Sequence, residues 1–520
     1  MLILHFWIQI LTNGRKLVCI TNYIFVLGSA ESHYGEGVVA AALASALVSR
    51  GVDVATVKID HYLNLDAASL DCNVYGECYV TADGCEVDRC LGIYERMTGA
   101  KASQHHHITA GRILQKVIND ERRGSFFGAA VSTSEHVVCE FKQRILSIGE
   151  RENRQCVVVE IGGTVRSIDS AAAIAAVKAI CHEMPEQTMC VACTCIVEQY
   201  LRQTGIEPNI ILTSEPCEGA TCLPYDGCIY SMPNRMEQSG LINIVLGNMG
   251  IKSARGQSAW PTLVKVMKDA DEEIKVALVG KYDDARRSYL SLCEMLRIVA
   301  ARCGKRLSLR YIQSASFYGC GNSAYDALSE ADAIVVAPGD GAFGTEGYIS
   351  ALQWCREHNK VTLGIGLGMQ CMAIEFARNV LGMEDATSAE ISSRSAHCVV
   401  AECDEQKRMA FMPELKRLGD YPTLVLDIDS HARRAYGNAL ITERHKHRYE
   451  FDAKKYGDEF AKAGMAITGI NPQSQLPDII EVDALRWYVG VSFRPEFGTR
   501  TLDPNPLLKR FISEAAKHDK

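Results

Sequence analysis

Residues 22–50 read NYIFVLGSAESHYGEGVVAAALASALVSR, and this stretch decides the fold of the first half of the chain. The apolar run Tyr23–Leu27 ends at a glycine, which is typical of a buried strand. Gly35 and Gly37 then mark a loop, and from Val38 apolar residues recur at helical spacing. A strand, a glycine-rich loop and a helix N-terminus in this order predict a phosphate site, because free backbone N–H groups and the positive end of the helix dipole converge there.

Three charged residues lie where this loop and the following strands would hold a ligand. Glu36 stands where a phosphate loop normally carries a lysine. Lys58 lies at the end of a second predicted strand, and Glu160 lies on a third, directly before two glycines. A carboxylate at a strand end suits Mg²⁺, which prefers hard oxygen ligands. The alternative role of Glu160 is to cap the glycine turn.

Composition places the chain among ordinary globular proteins. It has 520 residues, of which 47% are hydrophobic and 23% charged, enough for two or three domains. The net charge of −8 gives no sign of a nucleic-acid-binding surface. The 21 cysteines lack the dense spacing of a secreted disulfide scaffold, and no apolar run reaches the roughly 18 residues of a spanning helix. We therefore expect a cytoplasmic protein with neither a nucleic-acid nor a membrane partner.

Strands alternate with helices in both halves, which predicts an α/β fold of two doubly wound domains on mostly parallel sheets. The apolar start, MLILHFWIQIL, lacks the flanks of a signal peptide, which is the alternative, so residues 1–20 are interpreted as an N-terminal extension. The pattern breaks over residues 253–272, a predicted linker between domains at 21–252 and 273–520. The polar stretch Tyr75–Arg96 is expected to be a surface loop.

Motifs along the chain resemble the CTP synthase family in order and spacing. NYIFVLG, GEGVVAA, VKIDHYLNLD, LGIYER, ERRG and VVVEIGGTV are similar to its amidoligase domain. VGKY, DAIVVAPGDGAFGTEG, LGIGLGMQ, ERHKHRYE and FRPEF are similar to its glutamine amidotransferase domain. The resemblance implies a P-loop-like amidoligase domain followed by a class I glutamine amidotransferase domain. It also implies the family reaction, in which UTP becomes CTP with ATP, Mg²⁺ and ammonia released from glutamine.

The glutaminase residues that the resemblance implies are partly replaced. The family's nucleophilic cysteine corresponds to Gly366 and its histidine base to Arg494, whereas Glu496 matches the orienting glutamate. Glycine carries no nucleophile, and a guanidinium cannot act as a base near neutral pH. Cys371 lies in the following helix and cannot occupy the turn. Four further residues match positions that hold glutamine or its oxyanion: Gly339, Gln370, Glu390 and Arg448. We predict an inactive glutaminase with a retained shell.

The synthetase half departs from the family as well. The implied cofactors are ATP and Mg²⁺, and the positions matching the nucleotide site are Ser32, Gly35, Glu36, Gly37, Val38 and Lys58. The implied metal ligands are Glu160 and Cys90, the second at a family aspartate, and a thiol is a poor ligand for a hard cation. The UTP-recognition loop is absent between TCIVEQY and LRQTGIEPNIIL, and Pro224 falls at a uridine-contacting lysine. We therefore predict weak nucleotide binding.

Three other patterns have competing interpretations. The cysteines are spaced as C-x-x-C-x-C with two more nearby, which suits a structural zinc or, more simply, small buried side chains: Cys190, Cys193, Cys195, Cys217 and Cys222. His105–His107 is interpreted as a solvated loop rather than a metal site. The basic run Arg444–Arg448 lines the glutamine pocket in the family, so nucleic-acid binding is the lesser alternative.

Two functions of different classes remain. One is a divergent CTP synthase that uses free ammonia. The other is a catalytically inactive homologue that acts as a structural or regulatory subunit, through self-association into a tetramer or filament or by joining an active CTP synthase paralogue. A decayed gene product without function is the third possibility.

Overall fold

The computed structural model describes residues 20–28, 35–252, 258–318, 322–402 and 416–517. The predicted N-terminal extension, except Ile20, therefore lies outside the described residues. Two compact units are present: one takes in the residues up to Leu65 and His105–Trp260, and the other Asp66–Gln104 and the residues from Pro261 onward. The second unit is thus built from two separate segments, whereas the domain boundaries predicted from the sequence are linear and stay a prediction.

The strands of the chain are short and mostly buried. In the first half they are β1 (Asn22–Leu27), β2 (Val54–Asp60), β3 (Cys78–Val80), β4 (Glu86–Asp88), β5 (His107–Thr109), β6 (Cys156–Ile161), β7 (Thr188–Ala192), β8 (Ile210–Thr213) and β9 (Thr221–Cys222). In the second half they are β10 (Glu272–Gly280), β11 (Lys305–Gln313), β12 (Ala333–Val336), β13 (Val361–Ile365), β14 (Thr387–Ser388), β15 (Cys398–Ala401), β16 (Arg417–Val425), β17 (Leu440–His447), β18 (Glu450–Phe451), β19 (Ala466–Ile470), β20 (Pro477–Glu481) and β21 (Tyr488–Val491).

Helices connect most of these strands. In the first half they are α1 (Glu36–Ser49), α2 (Cys72–Tyr75), α3 (Arg89–Thr98), α4 (Ala110–Arg122), α5 (Val138–Glu152), α6 (Ala171–Glu183), α7 (Cys195–Thr204), α8 (Met232–Gln238) and α9 (Leu241–Asn248). In the second half they are α10 (Trp260–Asp269), α11 (Ala285–Ser288), α12 (Leu290–Arg302), α13 (Ser323–Ser329), α14 (Thr345–Glu357), α15 (Leu367–Asn379), α16 (His431–Tyr436), α17 (Ala453–Ala463) and α18 (Pro506–Ala515). None of the helices in the described ranges is long and apolar enough to cross a membrane.

The first unit is built on a seven-stranded sheet with the order β5-β2-β6-β1-β7-β8-β9. Every neighbouring pair is parallel. Phe25 and Val159 are fully buried in its core, as expected for parallel strands covered by helices. Leu27 is level with Ile161 and Ala192, so the carboxyl ends of β1, β6 and β7 meet at one edge. Ligands bind at such an edge in α/β proteins.

The second unit is built on a nine-stranded sheet with the order β11-β10-β12-β13-β21-β20-β19-β16-β17. The strands from β11 to β21 in this order are parallel, and the pairs from β21 to β17 are antiparallel. Val279, Val336 and Ile365 have no exposed surface. The predicted α/β fold on mostly parallel sheets is confirmed.

A hairpin of β3 and β4 followed by α3 packs into the second unit, so the predicted surface loop over Tyr75–Arg96 is wrong. Tyr79 and Val87 are fully buried here. Several charged side chains of this stretch are buried as well, because they meet partners that come much later in the chain. Glu95, for example, forms an ion pair with Arg444 at 3.0 Å.

Arg444 is the buried centre of that contact. Its Nη1 donates to the carbonyl oxygen of Val80 at 2.9 Å and to Oη of Tyr79 at 3.2 Å. Its Nε donates to Oδ1 of Asp420 at 2.6 Å. Burial acts to lower the pKa of Arg444, but its contacts with Tyr79, Glu95 and Asp420 outweigh it and keep the guanidinium protonated.

Candidate functional site

The turn between β13 and α15 has the geometry of a nucleophile elbow. Gly366 has φ 55° and ψ −110°, a conformation that side-chain-bearing residues rarely adopt. Its N–H donates to the carbonyl oxygen of Val491 at 2.8 Å, and its own carbonyl accepts from the N–H of Gln370 at 3.1 Å. A Cβ added at Gly366 would come no closer than 3.4 Å to Pro338. The turn is therefore intact and has room for a side chain, but it carries no nucleophilic group.

Arg494 fills the position predicted for a base. Its Nε donates to Oε1 of Glu496 at 2.5 Å, and its guanidinium lies 4.2 Å from the ring centre of Phe497. Its Nη2 is 3.6 Å from Oε1 of Glu77. Burial acts to lower the pKa of Arg494, but Glu496 and Glu77 outweigh it and raise the pKa. Arg494 is thus a fixed cation. Glu496, which was predicted to orient a histidine base, forms its hydrogen bond with Arg494 instead.

A cavity of about 310 Å³ lies in front of these residues within the second unit. It brings together the four residues predicted to hold glutamine, together with Arg494: Gly339, Gln370, Glu390 and Arg448. Cys371 is not among the lining residues; it is fully buried, and burial raises the pKa of its thiol. The thiols that line the cavity belong to Cys72 and Cys78, and the elbow itself carries none at Gly366. The role of the four residues in holding glutamine stays a prediction.

The polar groups of the cavity are fixed by hydrogen bonds. Gln370 Nε2 donates to the carbonyl oxygen of Tyr449 at 3.0 Å. Oε1 of Glu390 accepts from the N–H of Gly341 at 2.7 Å, and burial raises the pKa of Glu390. Arg448 Nε donates to Oε1 of Glu402 at 2.9 Å. The cavity is therefore a preformed polar shell.

Sequence reasoning did not single out three charged residues at or beside this cavity, although one of them, Lys446, lies in the run Arg444–Arg448 that was expected to line it. Lys281 Nζ donates to the carbonyl oxygens of Asp340 and Gly341, the second at 2.8 Å, and burial lowers its pKa. Lys446 Nζ donates to the carbonyl oxygen of Cys78 at 2.9 Å. Both lysines belong to quoted motifs, VGKY and ERHKHRYE, so the signal was present. Glu77 had no local signal, because it belongs to the earlier segment of this unit.

In the first unit, Glu36 begins α1 at the carboxyl edge of the sheet. Gly35 precedes it with φ 75°, and no side chain caps the helix. The Glu36 side chain folds back over Gly28, where an added Cβ would meet its Cβ at 3.0 Å. Gly37 and Val38 follow in the first turn of α1. Ser32 lies outside the described residues.

Lys58 and Glu160 face each other across neighbouring strands and form a buried ion pair. Lys58 Nζ also lies 3.4 Å from Oδ1 of Asp60. Asp60 in turn meets Nε2 of His107 at 2.8 Å. Burial acts to raise the pKa of Asp60, but Lys58 and His107 outweigh it and hold the pKa well below its usual range. The cationic and anionic groups of this edge are thus arranged to neutralise one another.

An open cavity of about 440 Å³ adjoins this network, and Asp60, His61 and Gly162 are among its lining residues. Gly162 is required here, because an added Cβ would lie 2.9 Å from the carbonyl oxygen of Ile59. Burial lowers the pKa of His61, so its imidazole is neutral near pH 7. Sequence reasoning did not single out Asp60 or His61.

Comparison with known proteins identifies the family. The model of the CTP synthase N-terminus matches residues 22–214, and that of class I glutamine amidotransferases matches residues 302–514. A CTP synthase of Porphyromonas gingivalis is 37% identical over 534 residues, covering 96% of this chain and 98% of the relative. The chain belongs to the CTP synthase family. A CTP synthase of Bacteroides fragilis is 35% identical over 531 residues, covering 95% and 99%.

Among solved structures, the glutaminase domain of a Trypanosoma brucei CTP synthase with bound acivicin is similar to the second half of the chain. It is 32% identical, covers 48% of this chain and 95% of that domain, and gives a TM-score of 0.45. The resemblance to CTP synthase read from the motifs is confirmed at the level of the family by the two family models and the relatives from P. gingivalis and B. fragilis.

ATP and Mg²⁺ are the cofactors that the CTP synthase resemblance implies, and the described residues do not fit them. Glu36 places a carboxylate at a helix N-terminus where phosphates would add further negative charge. Lys58 and Glu160 already neutralise each other. Cys90, the second predicted metal ligand, belongs to the other unit, where its N–H bonds Oδ1 of Asp88 at 2.8 Å. This donor set differs from that of a magnesium–triphosphate site.

The other metal interpretations have different outcomes. Within the described ranges, the one group of three ligating side chains is His431, Glu481 and Asp483, so the predicted cysteine cluster does not form a zinc site there. The predicted solvated loop over His105–His107 is wrong, because His106 and His107 are buried. His106 meets the carboxylate of Glu152, and His107 meets that of Asp60, so both can be buried. His107 is also the first residue of β5 and therefore lies in the sheet.

The basic run of the CTP synthase motif ERHKHRYE lies on β17 and after it. Arg444, His445 and His447 are buried. Lys446, His447 and Arg448 line the cavity at the elbow. The run therefore belongs to the polar shell and does not form an exposed basic surface.

Proposed function

We propose that this member of the CTP synthase family does not hydrolyse glutamine and acts as a structural or regulatory subunit of assemblies in that family. The observation that carries the proposal is the ion pair of Arg494 with Glu496 beside an elbow that holds Gly366. Thiol-based hydrolysis needs both a nucleophile and a base that accepts its proton. Neither group stands at its family position, where Gly366 and Arg494 are found, and the guanidinium that replaces the base stays protonated.

The first unit supports the same reading. Glu36 opposes the binding of phosphates, and the buried pair of Lys58 and Glu160 removes one cation and one carboxylate from the edge where a nucleotide would lie. The loop that anchors UTP in the family is missing from the sequence. Synthesis of CTP is therefore expected to be impaired as well.

Assembly does not depend on these catalytic groups. Both units keep extensive apolar cores. Phe127 and Ile168 of the first unit are 98% and 89% exposed, which is unusual for side chains of this size. By resemblance, CTP synthases associate through the amidoligase domain, so this unit is the one expected to meet a second copy or an active CTP synthase.

The test is an assay of the purified chain for glutamate release from glutamine, and for CTP formation from UTP, ATP and Mg²⁺ with glutamine or with ammonium. We expect neither product above background. A Cys371→Ser variant assayed in parallel controls for a relocated nucleophile. Glutamate release that survives in this variant would refute the loss of the glutaminase.

A divergent CTP synthase that takes free ammonia is the second candidate. The observation in its favour is that an open cavity, lined by Asp60, His61 and Gly162, remains at the carboxyl edge of the parallel sheet. CTP formed with ammonium but not with glutamine would select this function over that of a purely structural subunit.

A further inference from the structure

Two cysteine thiols of the first unit lie close together, and the proposed function gives neither of them a role. Sγ of Cys195 and Sγ of Cys217 are 3.1 Å apart. A disulfide joins sulfur atoms at about 2.05 Å, so a shift of about 1 Å would bring the two within bonding distance. Cys217 is exposed and Cys195 is partly exposed, so small reagents can reach the pair.

The fold itself brings these cysteines together. β7 ends at Ala192, and the N–H of Cys193 donates to the carbonyl oxygen of Leu27 at 2.9 Å. Thr194 then caps α7, its Oγ1 accepting from the N–H of Val197 at 3.1 Å, and Cys195 is the first residue of that helix.

Cys217 comes from the loop between β8 and β9. The loop is closed at its base, where the N–H of Leu223 donates to the carbonyl oxygen of Thr213 at 2.8 Å. A second contact joins Sγ of Cys222 to the carbonyl oxygen of Ser214 at 3.7 Å. The tip of the loop, which carries Cys217, thereby reaches the N-terminus of α7.

The two thiols are not equivalent. The hydrogen bond to Cys217 is the main cause that raises the pKa of Cys195 to about 11, with burial adding to it. This contact and burial thus favour the protonated thiol at Cys195, and either sulfur can donate the hydrogen bond. Cys217 is also the more exposed of the two, so it is the sulfur that a dissolved disulfide reaches first.

We propose that Cys195 and Cys217 form a reversible disulfide when the protein meets a small oxidised disulfide such as oxidised glutathione. Cys217 thiolate attacks one sulfur of glutathione disulfide, which breaks that bond and releases one glutathione thiolate. Cys195 then loses its proton to that thiolate and attacks Sγ of Cys217, which releases the second glutathione as a thiolate that takes up the proton given to the solvent by Cys217. Two protein thiols are oxidised, and two glutathione molecules are released in reduced form.

The bond would fix the loop Ser214–Ala220 to the N-terminus of α7, directly beside the end of β1. The residues from Glu215 to Gly219 are exposed and have no strand partner in the structure. Their amide hydrogens should therefore exchange faster in the reduced form than in the oxidised form. The inference does not depend on whether the chain makes CTP.

A second close pair offers an internal comparison. Sγ of Cys181 lies 3.6 Å from Sγ of Cys190, and Cys190 is buried on β7. An attacking disulfide cannot reach Cys190 without opening the unit. Cys139 supplies another comparison. It is exposed, and its Sγ accepts a hydrogen bond from Gln143 Nε2 at 3.5 Å.

The test treats the intact protein with buffers of graded reduced-to-oxidised glutathione ratio, alkylates the remaining thiols and maps the peptides without reduction. We expect a cross-linked peptide containing Cys195 and Cys217, lighter by two hydrogen atoms and lost on addition of dithiothreitol. Cys139→Ser should leave the cross-link unchanged. In Cys195→Ser, Cys217 should retain glutathione as a stable mixed disulfide.

Other results would overturn the proposal. In one, Cys217 of the unmodified protein carries glutathione and no cross-link forms. In another, both cysteines are still alkylated in the most oxidising buffer. Zn²⁺ added alone, if it bound stoichiometrically through both thiols, would make them metal ligands instead. Slower amide exchange over Glu215–Gly219 in the cross-linked protein tests the effect on the loop, and unchanged exchange would refute it. Because the cross-link is measured in the unmodified protein, a variant that fails to fold does not affect the outcome.

Discussion

Gly366 and Arg494 stand at the positions of two groups that glutamine hydrolysis requires. Gly366 replaces the nucleophile, and Arg494 replaces the base. Gly366→Cys should not give turnover by itself, because Arg494 cannot accept the thiol proton. The double variant with Arg494→His should release detectable glutamate, since Glu496 would then be available to orient the histidine. Steady-state glutamate release by the two variants is the measurement.

Two controls accompany this prediction. Cys371→Ser placed in the double variant shows that the new thiol is the nucleophile. Thermal unfolding shows whether the loss of Arg494, which leaves Glu77 and Glu496 without their buried cation, has unfolded the second unit. Equal activity of Gly366→Cys alone and the double variant would contradict the account given for Arg494.

Glu36 sets the sign of the field at the phosphate loop. At roughly 4 Å and an effective dielectric constant of about 20, a unit charge contributes about 4 kcal/mol, attractive for lysine and repulsive for glutamate. Glu36→Lys should therefore bind ATP·Mg²⁺ at least about tenfold more tightly, a difference of about 1.4 kcal/mol after screening. Titration calorimetry checks this, with Glu186→Lys as a surface control of equal charge change. Tight ATP binding by the unmodified chain would show that the loop is organised differently.

At this scale the sequence supplied the identities of the site residues but not their partners. Gly366 and Arg494 were found because each lies in a motif of fixed local spacing. The pairing of Lys58 with Glu160 depends on the register of two strands that are distant in sequence. The contact of Arg494 with Glu77 depends on the segment Asp66–Gln104, which belongs to the same unit but lies far from Arg494 in the sequence. Neither contact produces a pattern among neighbouring residues of the sequence.

At the scale of elements, the parallel strands were predictable and the hairpin was not. Runs such as Tyr23–Leu27 are continuously apolar because both faces of a parallel sheet are covered. The hairpin of β3 and β4 carries Glu86, and α3 carries Glu95, so the stretch resembles a solvated loop. Both side chains are buried beside cations, Lys416 at 3.1 Å and Arg444 at 3.0 Å, that follow far later in the chain.

Strand β17 also carries a carboxyl group whose protonation should control stability. Burial raises the pKa of Glu443 from 4.5 to about 7, and the carboxyl accepts hydrogen bonds from Tyr436 at 2.6 Å and Asn505 at 2.8 Å. Between these pH values the folded protein holds a proton that the unfolded chain releases. The stability from this group is therefore full below about pH 4.5 and lost as the pH rises through about 7.

Glu443→Gln imitates the protonated group and should remove this dependence. We expect the variant to match the unmodified protein near pH 4.5 and to exceed its stability at pH 8 by up to roughly 3 kcal/mol. Thermal unfolding at both pH values is the measurement, with the exposed Glu357→Gln as the matched control. A variant that is less stable than the unmodified protein at pH 8 would mean that Glu443 is ionised in the fold.

At the scale of the whole molecule, the proposed role requires self-association. Light scattering of the pure protein should give a mass above that of one chain, and a tagged active CTP synthase should co-purify with it and lose activity. Phe127→Asp should weaken both, because it places a charge on an exposed aromatic position of the first unit. Phe343→Asp, at a 69% exposed aromatic of the second unit, is the control. A strict monomer that ignores the active enzyme would favour a decayed gene.

The two-segment construction of the second unit affects how the protein folds as it is made. Tyr79 and Arg444, which are hydrogen-bonded in the finished unit, are separated by 365 residues. At roughly 5–20 residues per second on the ribosome, the early segment waits about 20–70 s for its partner. During that time its buried tyrosine and carboxylates have no core to enter, while the larger segment of the first unit, His105–Trp260, is synthesised. The nascent chain should thus depend on chaperone shielding of this segment, and slow translation should lower the yield of folded protein.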